Sequence, residues 1–458
     1  MITPDLARTY FATHRETILA DWFELLRIPS IGNDLQRLRD CSRCTAWFKR
    51  YLRPLGFESE VCLTSGQPVL LAERPGKSGA PVVLFYGHYD VQPADPLELW
   101  KSKPFEPELR DERVYARGAS DDKGQIFAFL QGVAALLDAG VELPTLRLVL
   151  EGEEESGSGG LTASLSGWRK RLQADVMMVA DSGVHESGRP AIIAGLRGII
   201  HMTVTLKGPP RDLHSGAHGG VAPNPAAGMV RLLASLHDEN GRIAVPGFLD
   251  HVVPPTPEEL KFANVEPFDA ARYERETGVA PVGGETGVPA VERLSFRPTI
   301  EVNGVHSGYG GPGSKTVLPA LAVAKLSARL CPGQSPRESN EQIVAHLQAH
   351  CPPGLTLEIT DVTGGAPALR LPLETPIVRM AEEVLKQIDP RGPVFKWMGA
   401  SIPVVGALRD VSGASPLLVG FGREEDSIHA PNESFGLDQF QDDMTYTCLM
   451  LDALAGNA

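Results

Sequence analysis

Pro81-Val82-Val83-Leu84-Phe85-Tyr86-Gly87-His88-Tyr89-Asp90 decides how this chain is read: an apolar run ends in a histidine and an aspartate two residues apart. The same figure recurs twice. Leu146-Arg147-Leu148-Val149-Leu150 runs into Glu151-Gly152-Glu153-Glu154-Glu155-Ser156-Gly157, and Val176-Met177-Met178-Val179-Ala180 runs into Asp181-Ser182-Gly183. Short apolar runs of this kind predict buried strands of a largely parallel sheet. Open α/β sheets gather their active sites at the carboxyl ends of the strands. Ala119-Ser120-Asp121-Asp122-Lys123-Gly124 adds two further acids between the first two runs. Carboxylates and a histidine converging at one sheet edge repel one another unless something cationic sits among them. A pair of divalent metal ions is the expected counter-charge.

Outward from these runs, apolar periodicity predicts helices over about 5–27 and 36–54, the second stopping at Pro54-Leu55-Gly56. From about 60 to 193, strand runs alternate with helical segments such as Gly124 to Leu137, the pattern of an α/β fold. Near Gly195 the character changes. A half-buried strand at His201–Leu206, a helix from about 225, and an irregular stretch over 246–298 with short helices follow. A strand near 322–330, a helix near 338–350 and a strand near 356–362 complete a small α+β domain. Helices over 376–388 and about 437–454 close the chain. The acidic motifs lie before residue 195 and after 372. Residues 1–194 and 373–458 are therefore predicted to form one discontinuous catalytic α/β/α sandwich, with 195–372 inserted into it.

The bulk numbers narrow the function classes. The chain has 458 residues, 42% of them apolar and 22% charged, as expected of a globular protein of two domains. A net charge of −14 argues against a nucleic-acid surface, which needs a basic patch. Met1–Ala20 carries Asp5, Arg8, Arg15 and Glu16 and has no apolar core of a signal peptide, and no stretch has the length and apolarity of a membrane span. A cytoplasmic enzyme is expected. Cys41 and Cys44 form a CxxC, but without a second pair they read as two reduced thiols on one helix.

Each motif alone has a plainer reading. Asp90, two residues from His88, suits either an orienting carboxylate for a ligand histidine or a ligand itself. Glu153-Glu154-Glu155 is compatible with a solvated turn, Asp121-Asp122 with a helix cap, and His429, in Ser427-Ile428-His429-Ala430-Pro431-Asn432-Glu433, with a surface histidine. Taken jointly they suit two-metal hydrolysis, which needs a bridging carboxylate, terminal ligands on each ion and one free acid. The donor set of histidine, aspartate and glutamate accepts zinc, manganese or cobalt, and no thiolates select zinc. Rival chemistries are poorly served. The sequence has no GxSxG elbow and no HExxH, and Ser314 stands where a phosphate loop beginning at Gly308 needs its lysine. His346 and His350, four apart on a polar helix, read as surface residues.

Together these motifs resemble the M20 family of metallopeptidases over nearly the whole chain, and within it the carnosinase-like cytosolic dipeptidases. Gly87-His88-Tyr89-Asp90-Val91-Gln92-Pro93 is similar to that branch's first motif. Asp121–Gly124, Glu154–Gly157, Asp212-Leu213-His214-Ser215-Gly216 and Gly311–Pro319 complete the match. The resemblance implies that Asp121 bridges two ions, with His88 and Asp181 on one and Glu155 and His429 on the other. It implies that Asp90 orients His88, that Glu154 is the general base, and that the Asp121–Asp122 peptide is cis. It also implies that the inserted domain is a lid through which the protein dimerises, delivering His214 to the partner's oxyanion. Arg329, Asn303 and the Gly399-Ala400-Ser401-Ile402-Pro403 loop (Gly399 and Ser401 in particular) would bind the substrate carboxylate. This loop departs from the family's Gly-Gly-Ser-Ile-Pro at Ala400. The expected activity is hydrolysis of dipeptides or short peptides with a free C-terminal carboxylate. An N-acyl amino acid deacylase using the same machinery is the second reading, and a binding protein that kept the fold without the chemistry is the third.

Overall fold

The computed structural model describes residues 2–34, 37–362, 365–399 and 402–456. The described residues divide into two compact units. One comprises 1–194, 371–396 and 404–458; the other comprises 195–370 and 397–403. The expected second part of the catalytic domain, 373–458, thus loses one stretch to the inserted unit. Trp397 and Gly399 are held there by Ser295 Oγ on the Trp397 carbonyl (3.4 Å), by Arg197 Nε on the Gly399 carbonyl (3.1 Å) and by the ring of Phe296 against Trp397.

The first unit is built on a six-stranded sheet in the order Glu58–Cys62, Val69–Arg74, Leu146–Glu151, Val83–His88, Val176–Val179, Ser415–Leu418. The last four run parallel, while the 58–62 and 69–74 strands pair antiparallel at one edge. The fold is thus mixed α/β with a mostly parallel sheet. Every residue of Val83–His88 and Val176–Val179 is buried, which is why both read as unbroken apolar runs rather than alternating ones. The helices Asp5–Leu26, Lys123–Asp138 and Leu437–Leu454 meet in a buried aromatic cluster in which Trp22 stacks on Phe440 at 4.7 Å and Phe127 lies 6.0 Å from Phe440. Pro376–Ile388 begins at a Thr375 cap with proline in its first turn, the arrangement a helix start prefers.

The second unit is an antiparallel sheet ordered Thr299–Ser307, Leu321–Leu330, Gly198–Lys207, Thr356–Thr360. Alternation along Leu321–Leu330 sends Ala322, Ala324, Leu326 and Ala328 into a core with Ile200, Met202 and Val204. Met229 and Leu232 of helix Pro225–Ala234 and Ile343 and Leu347 of helix Pro336–Ala349 cover that core. His346 corrects the expectation of a surface histidine: it is buried, its Nε2 lies 3.0 Å from Ser235 Oγ, and its ring stacks on His350. Cys41 and Cys44 are free and fully buried, and burial pushes their thiols up to about 12 and about 11. Among the described residues no helix is long and apolar enough to cross a membrane.

Candidate active site

Strand register brings the acidic motifs of the first unit to one sheet edge. His88 ends its strand level with Glu151, and Tyr86 stands level with Val179, so the chain beyond each strand emerges on the same side. Gly87 makes room at that edge: a Cβ there would meet Asp122 Oδ2 at 2.9 Å and Ile126 at 2.5 Å. With no side chain in the way, Asp122 Oδ2 accepts the backbone N–H of His88 at 3.1 Å. The Asp121–Asp122 peptide is cis.

Two clusters of ligand-type side chains result, and they share Asp121. His88, Asp121 and Asp181 form one; Asp121, Glu155 and His429 form the other. Asp121 Oδ1 lies 3.0 Å from His88 Nε2, while its Oδ2 lies 2.9 Å from His429 Nε2. Asp181 Oδ2 is 3.9 Å from His88 Nε2, and Glu155 Oε1 is 3.3 Å from His429 Nε2. Within the first unit, the structure therefore collects all five expected ligands. His88 Nδ1 sits 3.1 Å from the Asp90 carbonyl and 3.4 Å from Asp90 Oδ1. Either oxygen can accept the Nδ1–H, which turns Nε2 toward Asp121 and Asp181 and would leave its lone pair to an ion bound between them. The Asp90 carboxylate has a second task, accepting the backbone N–H of Glu154 at 3.2 Å and of Glu155 at 3.1 Å. Glu154 belongs to neither cluster.

The electrostatics call for cations. Burial chiefly raises Glu154 to about 9 and Asp181 to about 7, with neighbouring carboxylates adding to both. His429, facing the carboxylates of Asp121 and Glu155, rises to about 10. Burial opposes charge on His88, yet Asp121 and Asp90 push it well above the usual imidazole range. Asp121 is held low against its burial by those two histidines. Without cations, then, the site balances its acids by taking up protons. The buried oxygens Glu155 Oε1 and Asp122 Oδ1 accept no hydrogen bond, and orphaned acceptors are costly away from water. Two hard or borderline divalent ions fit this donor set.

Three functional contacts were not foreseen. Gln92 Nε2 donates to Glu155 Oε2 at 2.6 Å. Fully buried Glu433 accepts the N–H groups of Gly118 (3.0 Å), Ser120 (3.0 Å) and Asp121 (3.1 Å) and the Arg117 guanidinium (2.7 Å). Asp426, also fully buried, accepts Ser120 Oγ at 3.0 Å. Gln92 and Glu433 lie inside the quoted motifs, but nothing in their spacing announces a partner.

The remaining expected residues belong to the second unit. His214 is exposed, and its Nδ1 accepts the N–H of Gly216 at 3.1 Å. Its other nitrogen therefore carries the proton of the neutral ring. Arg329 is half-buried, which lowers its pKa. Asn303 is exposed on the sheet's edge strand, at the irregularity between Val302 and Gly304. A Cβ on Gly399 would meet the Arg197 guanidinium at 2.7 Å. Ser401 and Ala400 lie outside the described residues.

The model of peptidase family M20/M25/M40 matches residues 84–453. The chain belongs to that family. It is 30% identical over 373 residues to the Beta-Ala-His dipeptidase of Rattus norvegicus, covering 80% of this chain and 75% of the rat protein. It is 30% identical over 403 residues to a Cys-Gly metallodipeptidase of Schizosaccharomyces pombe, covering 85% and 83%. Among solved structures, an M20 family metallo-carboxypeptidase from Sulfolobus solfataricus superposes with a TM-score of 0.86 at 30% identity, over 96% of this chain and 99% of that one. The chain is an M20 metallopeptidase, and both clusters fall inside the matched span.

Proposed function

We propose that this M20 peptidase hydrolyses dipeptides and short peptides that carry a free C-terminal carboxylate, in the cytoplasm and as a homodimer. The observation that carries the reading is Asp121, whose two oxygens face one histidine each, at 3.0 and 2.9 Å, with the uncommitted acid Glu154 alongside. His88, Asp121 and Asp181 would hold one divalent ion, and Asp121, Glu155 and His429 the other, zinc or manganese before cobalt. When bound, such ions would polarise the scissile carbonyl and bring the pKa of the attacking water toward neutrality. Glu154, as carboxylate, accepts the proton of the attacking water and returns it to the leaving amine nitrogen. Asp90 keeps the Nδ1 proton on His88 and anchors the backbone of Glu154 and Glu155.

The oxyanion needs a donor of its own, and His214 of the partner subunit is assigned that role. Gly216 fixes its tautomer, so the exposed nitrogen is the N–H that an oxyanion requires. Arg329, with Asn303, Gly399 and Ser401, is assigned to the substrate carboxylate. A guanidinium relieved of water binds a carboxylate in two parallel bonds. The relatives named as dipeptidases and as a carboxypeptidase support a substrate ending in a free carboxylate.

The test is turnover of metal-depleted protein reloaded separately with Zn2+, Mn2+ or Co2+, on matched panels of dipeptides and N-acetyl amino acids. Restored dipeptide cleavage is expected. Cleavage of the acylated amino acids alone would move the chain to the deacylases and overturn the substrate assignment.

A further inference from the structure

Glu155 is held from two directions. Its backbone N–H is tied to Asp90 Oδ2 at 3.1 Å, and its side-chain oxygen Oε2 accepts the Gln92 amide at 2.6 Å. Its second oxygen, Oε1, accepts no hydrogen bond and faces His429 Nε2 at 3.3 Å. A carboxylate can bind an ion through one oxygen or both, and a charge-assisted bond to one of them favours binding through the other alone. The donor is also chemically chosen. A neutral amide satisfies Oε2 without adding a positive charge that would repel an ion or a negative one that would repel Glu155.

We propose that Gln92 is a positioning residue for the ion shared by Asp121, Glu155 and His429: it commits Glu155 to bind through Oε1 alone. Its only hydrogen bond among the described residues goes to Glu155, and none ties it to His88, Asp121 or Asp181. The assignment rests on reading the two clusters as two ion sites.

Calorimetric titration of the metal-depleted full chain with Mn2+ tests it, with His429→Ala and Asp181→Asn marking which binding step belongs to which cluster. Gln92→Leu, of similar length and without a donor, should weaken the step abolished by His429→Ala about 10–100-fold, the usual effect of removing an outer-shell partner. The step abolished by Asp181→Asn should keep its affinity. Gln92→Met serves the same purpose should the leucine variant fail to fold. Loaded with Co2+, either variant should change the visible spectrum of the weakened step alone, a signature that general loosening does not give. Equal weakening of both steps, or of neither, would overturn the role of Gln92 while leaving the two-ion reading intact. Absence of a second Mn2+ from the unsubstituted protein would overturn that reading and this inference together.

Discussion

In the proposed mechanism Asp121 and Glu154 divide the work. Asp121 is charged and bonded on both oxygens, whereas Glu154, half-buried beside other acids, holds its proton up to about 9 in the metal-free protein. A neighbouring cation acts in the opposite sense, favouring the carboxylate form that a general base must have. Replacing Glu154 with Gln keeps the shape and removes proton acceptance. The expected result is a fall in kcat of about 10²–10⁴-fold, with Mn2+ stoichiometry and melting temperature unchanged; steady-state kinetics beside a binding titration checks it. The residues at strand ends (His88, Glu155, Asp181) could be read from sequence because an apolar run fixes where the next side chain must emerge. Gln92 and Glu433 could not. An amide beside a proline and an acid in a Pro/Asn loop look solvated until the fold supplies their partners.

Two loops form the element that matters most, and they come from opposite ends of the sequence. The segment 117–121 carries Asp121; the segment 423–434 carries His429. Glu433 binds three backbone N–H groups of the first segment and the Arg117 guanidinium, both charges being about 1% exposed. Asp426 adds Ser120 and Arg113 to the same grip. Glu433→Gln leaves Arg117 buried and uncompensated, which should cost about 3–5 kcal/mol of stability, read as a lower midpoint in urea unfolding. The Arg117→Met, Glu433→Gln pair should recover part of that loss, because the orphaned charge is gone. Long elements were legible: Pro376–Ile388 and Leu437–Leu454 have the bounds their periodicity predicts. The three-residue strands Glu108–Arg110, Arg113–Tyr115 and Ser434–Gly436 were not, since so few residues show no alternation. Trp397–Pro403 was misassigned for a related reason. Its allegiance to the second unit depends on Arg197, Ser295 and Phe296, about a hundred residues or more away, which no local pattern reveals.

For the whole molecule, the proposed transfer of His214 between subunits makes a prediction that neither unit makes alone. His214→Ala and Glu154→Gln proteins, each nearly inactive, should regain activity when mixed and allowed to exchange subunits. Some mixed dimers then hold one active site with both an intact base and an intact donor. Exchange without recovery, followed by differential labelling, would place the donor within one chain. The order of the motifs along the sequence was enough to suggest a catalytic unit interrupted by an insertion, because acidic motifs flank a stretch without them. Assembly is a different matter: it depends on surfaces whose pairing no single-chain pattern encodes.

If Asp121 serves two ions at once, as proposed, the number of Mn2+ ions bound should show it, counted on the metal-depleted protein, its His429→Ala variant and its Asp181→Asn variant. Two ions on the unsubstituted chain and one on each variant are expected, with dipeptide cleavage requiring both. A single ion on the unsubstituted chain, or two retained in either variant, would show that Asp121 does not join two ion sites.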